Sequence, residues 1–118
     1  MRAIIGLVLG ITASAAAADE IGDAQRQAVA GRDSYWHCLA QEYSKDRQNG
    51  VSEQEFSALL AGACRSERQN YRVTLVNFLA MQFPGDDASA HVATANNAIA
   101  LAQSDLVTAF AKPAAPPK

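Results

Sequence analysis

The chain has 118 residues, with Lys+Arg 10 against Asp+Glu 12, a formal net charge of −2 and 49% hydrophobic residues. That length fits one domain with a core of limited size, and the acidic balance excludes non-specific nucleic-acid binding by the domain as a whole. Cys38 and Cys64 are the only cysteines, so a C-x-x-C redox pair and a C-x-x-C-H haem attachment are both excluded.

The opening MRAIIGLVLGITASAAAADE has the three parts of a cleavable secretory signal peptide. Arg2 is the positive n-region, Ala3 to Thr12 the apolar h-region, and Ala16-Ala17-Ala18 a small-x-small cleavage site before Asp19. A membrane anchor is the competing reading, but the strongly apolar part is about half the ~20 residues a spanning helix requires. No cysteine lies near the junction to carry a lipid. Residues 1–18 are therefore expected to be removed, leaving 19–118 with nine basic residues (ten less Arg2) against twelve acidic ones, a net charge of −3. The expected location is the periplasm or the cell exterior, with no membrane span after cleavage. The alanine-rich leader suggests a Gram-negative bacterium.

Alanine is abundant and β-branched runs are short, so the mature chain is expected to be all-α. The first helix is predicted over about 20–48, with Ile21, Ala24, Ala28, Tyr35, Cys38, Leu39 and Tyr43 near helical spacing. Gly31 interrupts it and marks a place for a bend or break. Asn49-Gly50 then forms a turn, since both residues tolerate the left-handed conformation. Ser52 and Glu55 have the spacing of a capping box, flanked by Val51 and Phe56 as a hydrophobic staple. A second helix follows over about 53–83, with Phe56, Leu60, Cys64, Tyr71, Leu75 and Phe78 along one stripe.

Pro84-Gly85 ends it, and Asp86 or Asp87 can cap a third helix over about 87–111. Its seam is Val92, Ala95, Ile99, Ala102, Leu106 and Ala109 or Phe110. The tail KPAAPPK, residues 112–118, is expected to be disordered or extended, having nothing to bury and three prolines without backbone donors. Together these make a small three-helix bundle: an antiparallel hairpin with a third helix packed against it.

Cys38 and Cys64 lie thirteen residues either side of Val51. In an antiparallel hairpin this symmetry puts them at one height, and in an oxidising compartment they are expected to pair. Opposite residues then sum to about 102 (38 + 64), which sets Leu60 against Glu42, Leu59 against Tyr43, Phe78 against Ala24 and Met81 against Ile21. Such a bond stabilises by roughly 3 to 4 kcal/mol. A redox role competes, but there is no C-x-x-C pair to lower a thiol pKa, and burial on a helix would slow exchange.

Four features could carry function. The stretch SKDRQNGVSEQEF resembles the calcium loop of an EF-hand over thirteen residues, with Glu55 at the final glutamate position, and Asp46, Val51 and Phe56 in suitable places. It departs from that pattern at Ser44, Gln48 and Asn49, and a capped helix turn is the competing reading. Arg65, Arg68 and Arg72 share a sector of about 60° on the second helix and could bind a phosphate, a carboxylate or an acidic partner, against a plain solvated face. Trp36 is either an exposed recognition aromatic or packed on the third helix. His37 and His91 each follow an aspartate, Asp33 and Asp87, by four residues, which suits two metal ligands or an ordinary ion pair.

No metal or cofactor is expected, because no third ligand stands at a recognised spacing. An enzyme is the least favoured class and would need His37, Glu42 or Glu67 brought together. The expectation is a non-enzymatic interaction or structural module that recognises a protein or anionic surface through Arg65, Arg68, Arg72 and Trp36. The alternative is a carrier that holds a small ligand or anion in a groove between helices.

Overall fold

The computed structural model describes residues 11–112, with side chains from residue 18 onward. Residues 1–10 of the expected leader and 113–118 of the expected tail lie outside the described residues. Among the described residues all regular structure is helical: α1 (Ile11–Gln48), α2 (Glu53–Gly62), α3 (Arg65–Gln82) and α4 (Ala88–Ala111). Among the described residues no helix is long and apolar enough to cross a membrane.

The first helix starts earlier than the expected Glu20 and runs unbroken through both Ala18-Asp19 and Gly31. Gly31 does not break the helix. It is buried, and a Cβ there would lie 2.8 Å from Thr74 Oγ1 and 3.2 Å from the Tyr71 Cα. The missing side chain lets α1 and α3 approach closely, which offsets the helix propensity that glycine loses.

The expected second helix is two helices. Ala63 is extended (φ −81, ψ 156) and Cys64 is left-handed (φ 59, ψ 41), which separates α2 from α3. The hairpin register therefore holds only for α3. Gly31 faces Tyr71, and Ala28 and Leu75 line one crevice with Gln25 and Phe78. Cys38 and Cys64 form a disulfide with Cα atoms 6.0 Å apart, inside the usual span for the bond.

For α2 the register fails, because the break turns this helix onto α4. Phe56, not Leu59, meets Tyr43, edge-on with ring centroids 5.8 Å apart, and it stacks on Phe110 of α4 at 4.0 Å. Leu59 is 45% exposed. Four helices thus replace three, and the short α2 antiparallel to α4 closes one end of the bundle.

The turn between α1 and α2 forms as expected. Gly50 has φ +68, and the amides of Asn49, Gly50 and Val51 donate to the carbonyls of Lys45, Arg47 and Asp46. Ser52 Oγ accepts from the Glu55 amide at 3.2 Å, which is half of a capping box; the reciprocal bond does not form among the described residues. Val51 and Phe56 both join the core, as a staple requires.

The core is built from Tyr35 and Leu39 of α1, Phe56 and Leu60 of α2, Tyr71 of α3, and Ile99, Ala102 and Phe110 of α4. Gln103 Nε2 donates to the buried Tyr35 hydroxyl at 3.0 Å, satisfying a group that would otherwise destabilise the interior. The α4 seam begins one residue earlier than expected. His91 is buried and its Nε2 lies 3.2 Å from the Phe83 carbonyl at the end of α3, whereas Val92 is 41% exposed. Asp87 holds the N-cap position of α4, without a side-chain cap bond.

Candidate functional site

The sequence candidates are not all in one place. Arg68 and Arg72 of α3 line a single groove of about 510 Å³ with Ala61 of α2 and Asn96, Ile99, Ala100 and Gln103 of α4. Helical spacing explains the convergence: Arg68 and Arg72 are one turn apart on α3, while Asn96 and Gln103 are seven apart on α4, on the flank beside the buried Ile99. The floor is apolar at Ile99, and the walls carry two guanidinium and two amide groups.

Arg72 crosses the groove. Its Nε donates to Asn96 Oδ1 at 2.8 Å, and an Nη donates to Gln69 of its own helix. Arg68 donates an Nη to the Ala61 carbonyl in the last turn of α2, where a cation opposes the negative end of the helix dipole. Each guanidinium retains further N–H donors. Among the described residues, ion pairs join Arg26 to Asp23, Arg32 to Asp33 and Lys45 to Glu42, and none involves Arg65, Arg68 or Arg72. The groove therefore presents positive charge that no carboxylate of these residues neutralises.

Arg65 and Trp36 do not line this groove. Arg65 opens α3 and is exposed. Trp36 is half-buried on α1 and packs against the hydrophobic cluster. His37 lies 3.3 Å from the Gln41 amide, and His91 meets a backbone carbonyl, so neither pairs with its aspartate among the described residues. Among the described residues, Cys38, Cys64 and Glu67 form the one group of three such side chains whose ligand atoms all lie within 4.8 Å of one another. Both sulfurs are bonded to each other, which leaves a lone carboxylate.

The stretch resembling a calcium loop is helical as far as Gln48, and the two carboxylates it offers at ligand positions, Asp46 and Glu55, lie on different helices. Asp46 belongs to α1, and Glu55 sits exposed in the first turn of α2. Asp46 is only 2% exposed, and its Oδ2 has no hydrogen-bond partner among the described residues. Burial pushes its carboxyl above the usual carboxylate range; Glu42, one turn earlier, raises it further, and Lys45 opposes the shift. Lys45 is itself raised by its 3.0 Å contact with Glu42.

Sequence reasoning did not pick out Asn96 or Gln103, and it placed Asp46 in a calcium loop rather than in the interior. A signal existed for each: Asn96 stands four residues after Val92 and seven before Gln103, and Asp46 continues the buried stripe seven residues beyond Leu39. No protein-family model, curated protein or solved structure matches the chain. The class defined by fold and groove is an all-helical, disulfide-linked domain with a cationic groove between helices.

Proposed function

We propose that this protein is an exported, non-enzymatic binding protein that holds an anionic group between α3 and α4. The observation that carries this reading is the convergence of Arg68 and Arg72, without a carboxylate partner, on one groove with Asn96 and Gln103. Guanidinium groups bind carboxylate and phosphate oxygens in fork geometry, and side-chain amides complete the coordination of an oxyanion. The groove lies between two helices, as a carrier's would, and Trp36, packed on the core, supplies no exposed aromatic anchor. Nothing in the groove resembles a nucleophile with a base, which supports binding over catalysis.

Titration with acetate and inorganic phosphate, read from the side-chain amide resonances of Asn96 and Gln103, tests the site. Saturable shifts are expected, and they should disappear in an Arg68→Gln, Arg72→Gln variant of unchanged helix content. Shifts that persist in that variant would remove the arginines from the site. Export rests on the leader pattern and on the Cys38–Cys64 bond, which suits an oxidising compartment. Intact mass of protein recovered from its host should match a chain beginning at Asp19; an uncleaved mass with two alkylatable thiols would refute export.

A further inference from the structure

We propose that the anion bound here is the head of a single-chain fatty carboxylate whose alkyl tail lies along the α3–α4 seam; this rests on the anion-binding reading above. Arg72 lines two adjoining depressions. One is the polar groove it shares with Arg68, and the other, of about 450 Å³, is walled by Val73, Val76, Ala80 and Val92, with Asn77 at its side. Along α3 the residues change from Arg68 and Arg72 to Val76 and Ala80 at successive turns, and along α4 from Gln103 and Asn96 to Val92. Charge is thus confined to the end nearest α2, and apolar surface to the end nearest the α3 C-terminus.

The apolar half has no cover among the described residues. Val73 is 55% and Val92 41% exposed. An inorganic anion would satisfy the arginines and leave these valines wet, and a neutral alkane would do the reverse. A fatty carboxylate fills both halves at once. From Arg72 to Ala80 the seam runs eight residues, about 12 Å at the helical rise, which suits an alkyl chain of medium length. The surface is a recess between two helices. Its apolar lining is four side chains, Val73, Val76, Ala80 and Val92, which suits one alkyl chain, whereas a bilayer surface is met by a broad apolar face.

The test is calorimetry on the full chain with acetate, octanoate, decanoate and decanol, each below its micelle concentration, together with sedimentation against anionic phospholipid vesicles. Affinity should rise about twofold per added methylene, the gain expected when each CH₂ is half buried. A Val73→Asn, Val92→Asn variant alters exposed positions and should flatten that dependence while leaving acetate binding intact. Arg72→Gln should weaken acetate and decanoate alike, by tenfold or more.

Acetate binding as tightly as decanoate would overturn the fatty-carboxylate inference and leave the anion site standing. Decanol binding as tightly as decanoate, indifferent to Arg72→Gln, would overturn both, as would no binding by any of the four. Sedimentation with vesicles in the absence of decanoate binding would replace the soluble ligand with a membrane surface, and so overturn the inference.

Discussion

Replacing Gly31 and Gly22 with alanine, one at a time, sets the same substitution against itself within one helix. In an exposed helix interior, Gly→Ala stabilises by about 1 kcal/mol because alanine orders the backbone at lower entropic cost. At Gly22 a Cβ meets only Arg26 Nη1, at 3.7 Å, the far end of a flexible side chain, and in a chain that begins at Asp19 this position lies in the first helical turn, where the gain is smaller. At Gly31 the new methyl would sit 2.8 Å from Thr74 Oγ1 and 3.2 Å from the Tyr71 Cα. The hydroxyl is held by the Asn70 and Tyr71 carbonyls, at 2.8 and 3.1 Å, and the Cα cannot turn aside. The helices must separate, loosening Ala28, Tyr35 and Tyr71 along the same contact.

Overpacking of this kind costs about 1–3 kcal/mol, which exceeds the propensity gain. Gly31→Ala should therefore destabilise by about 1 kcal/mol net, while Gly22→Ala stabilises by about a few tenths of a kcal/mol. In a domain of this size the Gly31→Ala midpoint falls about 4–8 °C below the parent, and the Gly22→Ala midpoint lies slightly above it. Urea unfolding followed by far-ultraviolet circular dichroism gives the free energies directly. Adding Thr74→Ala to Gly31→Ala removes the nearest obstacle and should recover part of the loss, a coupling of about 0.5 kcal/mol or more. If Gly31→Ala raises the midpoint as Gly22→Ala does, α1 and α3 do not approach closely at this point and the register along them is wrong.

Asp46→Asn should stabilise by about 1 kcal/mol at neutral pH, since an amide needs no ionisation and can donate to Glu42. The folded carboxyl is raised above its ordinary value of 3.8, so the protonated form's stability is full below that value and is lost as pH rises through the folded pKa. The advantage of the asparagine variant must accordingly open above pH 3.8 and vanish below it; an advantage that does not change with pH would refute the assignment. Removing the disulfide with Cys38→Ser, Cys64→Ser should cost roughly 3 kcal/mol in thermal or denaturant unfolding. Cys38→Ser, Cys64→Gly should recover about 1 kcal/mol of that loss, because residue 64 is left-handed and only glycine takes that conformation without cost. Equal midpoints for the two double variants would show that the backbone relaxes once the bond is gone.

Much of the fold was legible where one short-range rule governs one residue. The Asn49-Gly50 turn, the Ser52 cap, the Val51 and Phe56 staple and the Ala95, Ile99, Ala102 seam all lie where local rules place them. The pairing of Cys38 with Cys64 followed from their symmetry about the turn. Gly31 was misjudged, because a propensity scale counts what glycine loses in a helix and not what its missing side chain permits between two helices. Val92 looked like the first rung of the α4 seam, but His91 takes that place because it can both pack and meet the Phe83 carbonyl. For the groove, the arginine stripe was visible and its partners on α4 were not, since residues more than twenty positions apart share no sequence period.

The break between α2 and α3 is the feature on which both the fold and the groove depend, and its signal was present but weak. Phe56, Leu60, Cys64 and Tyr71 keep helical spacing across it, so the apolar pattern alone reads straight through. Gly62 was the one local sign that the helix could stop there. Tertiary demand explains why it does stop. In a continuous helix the disulfide would carry Phe56 and Leu60 alongside α1, whereas the left-handed Cys64 turns them onto α4, where Phe56 stacks on Phe110 and Leu60 is wholly buried. The same turn leaves the Ala61 carbonyl at a helix end, where Arg68 reaches it, and sets α2 as the third wall of the groove. The disulfide is therefore more than a staple across the hairpin: the residue that makes the bond also makes the corner, and the cationic groove opens beside that corner.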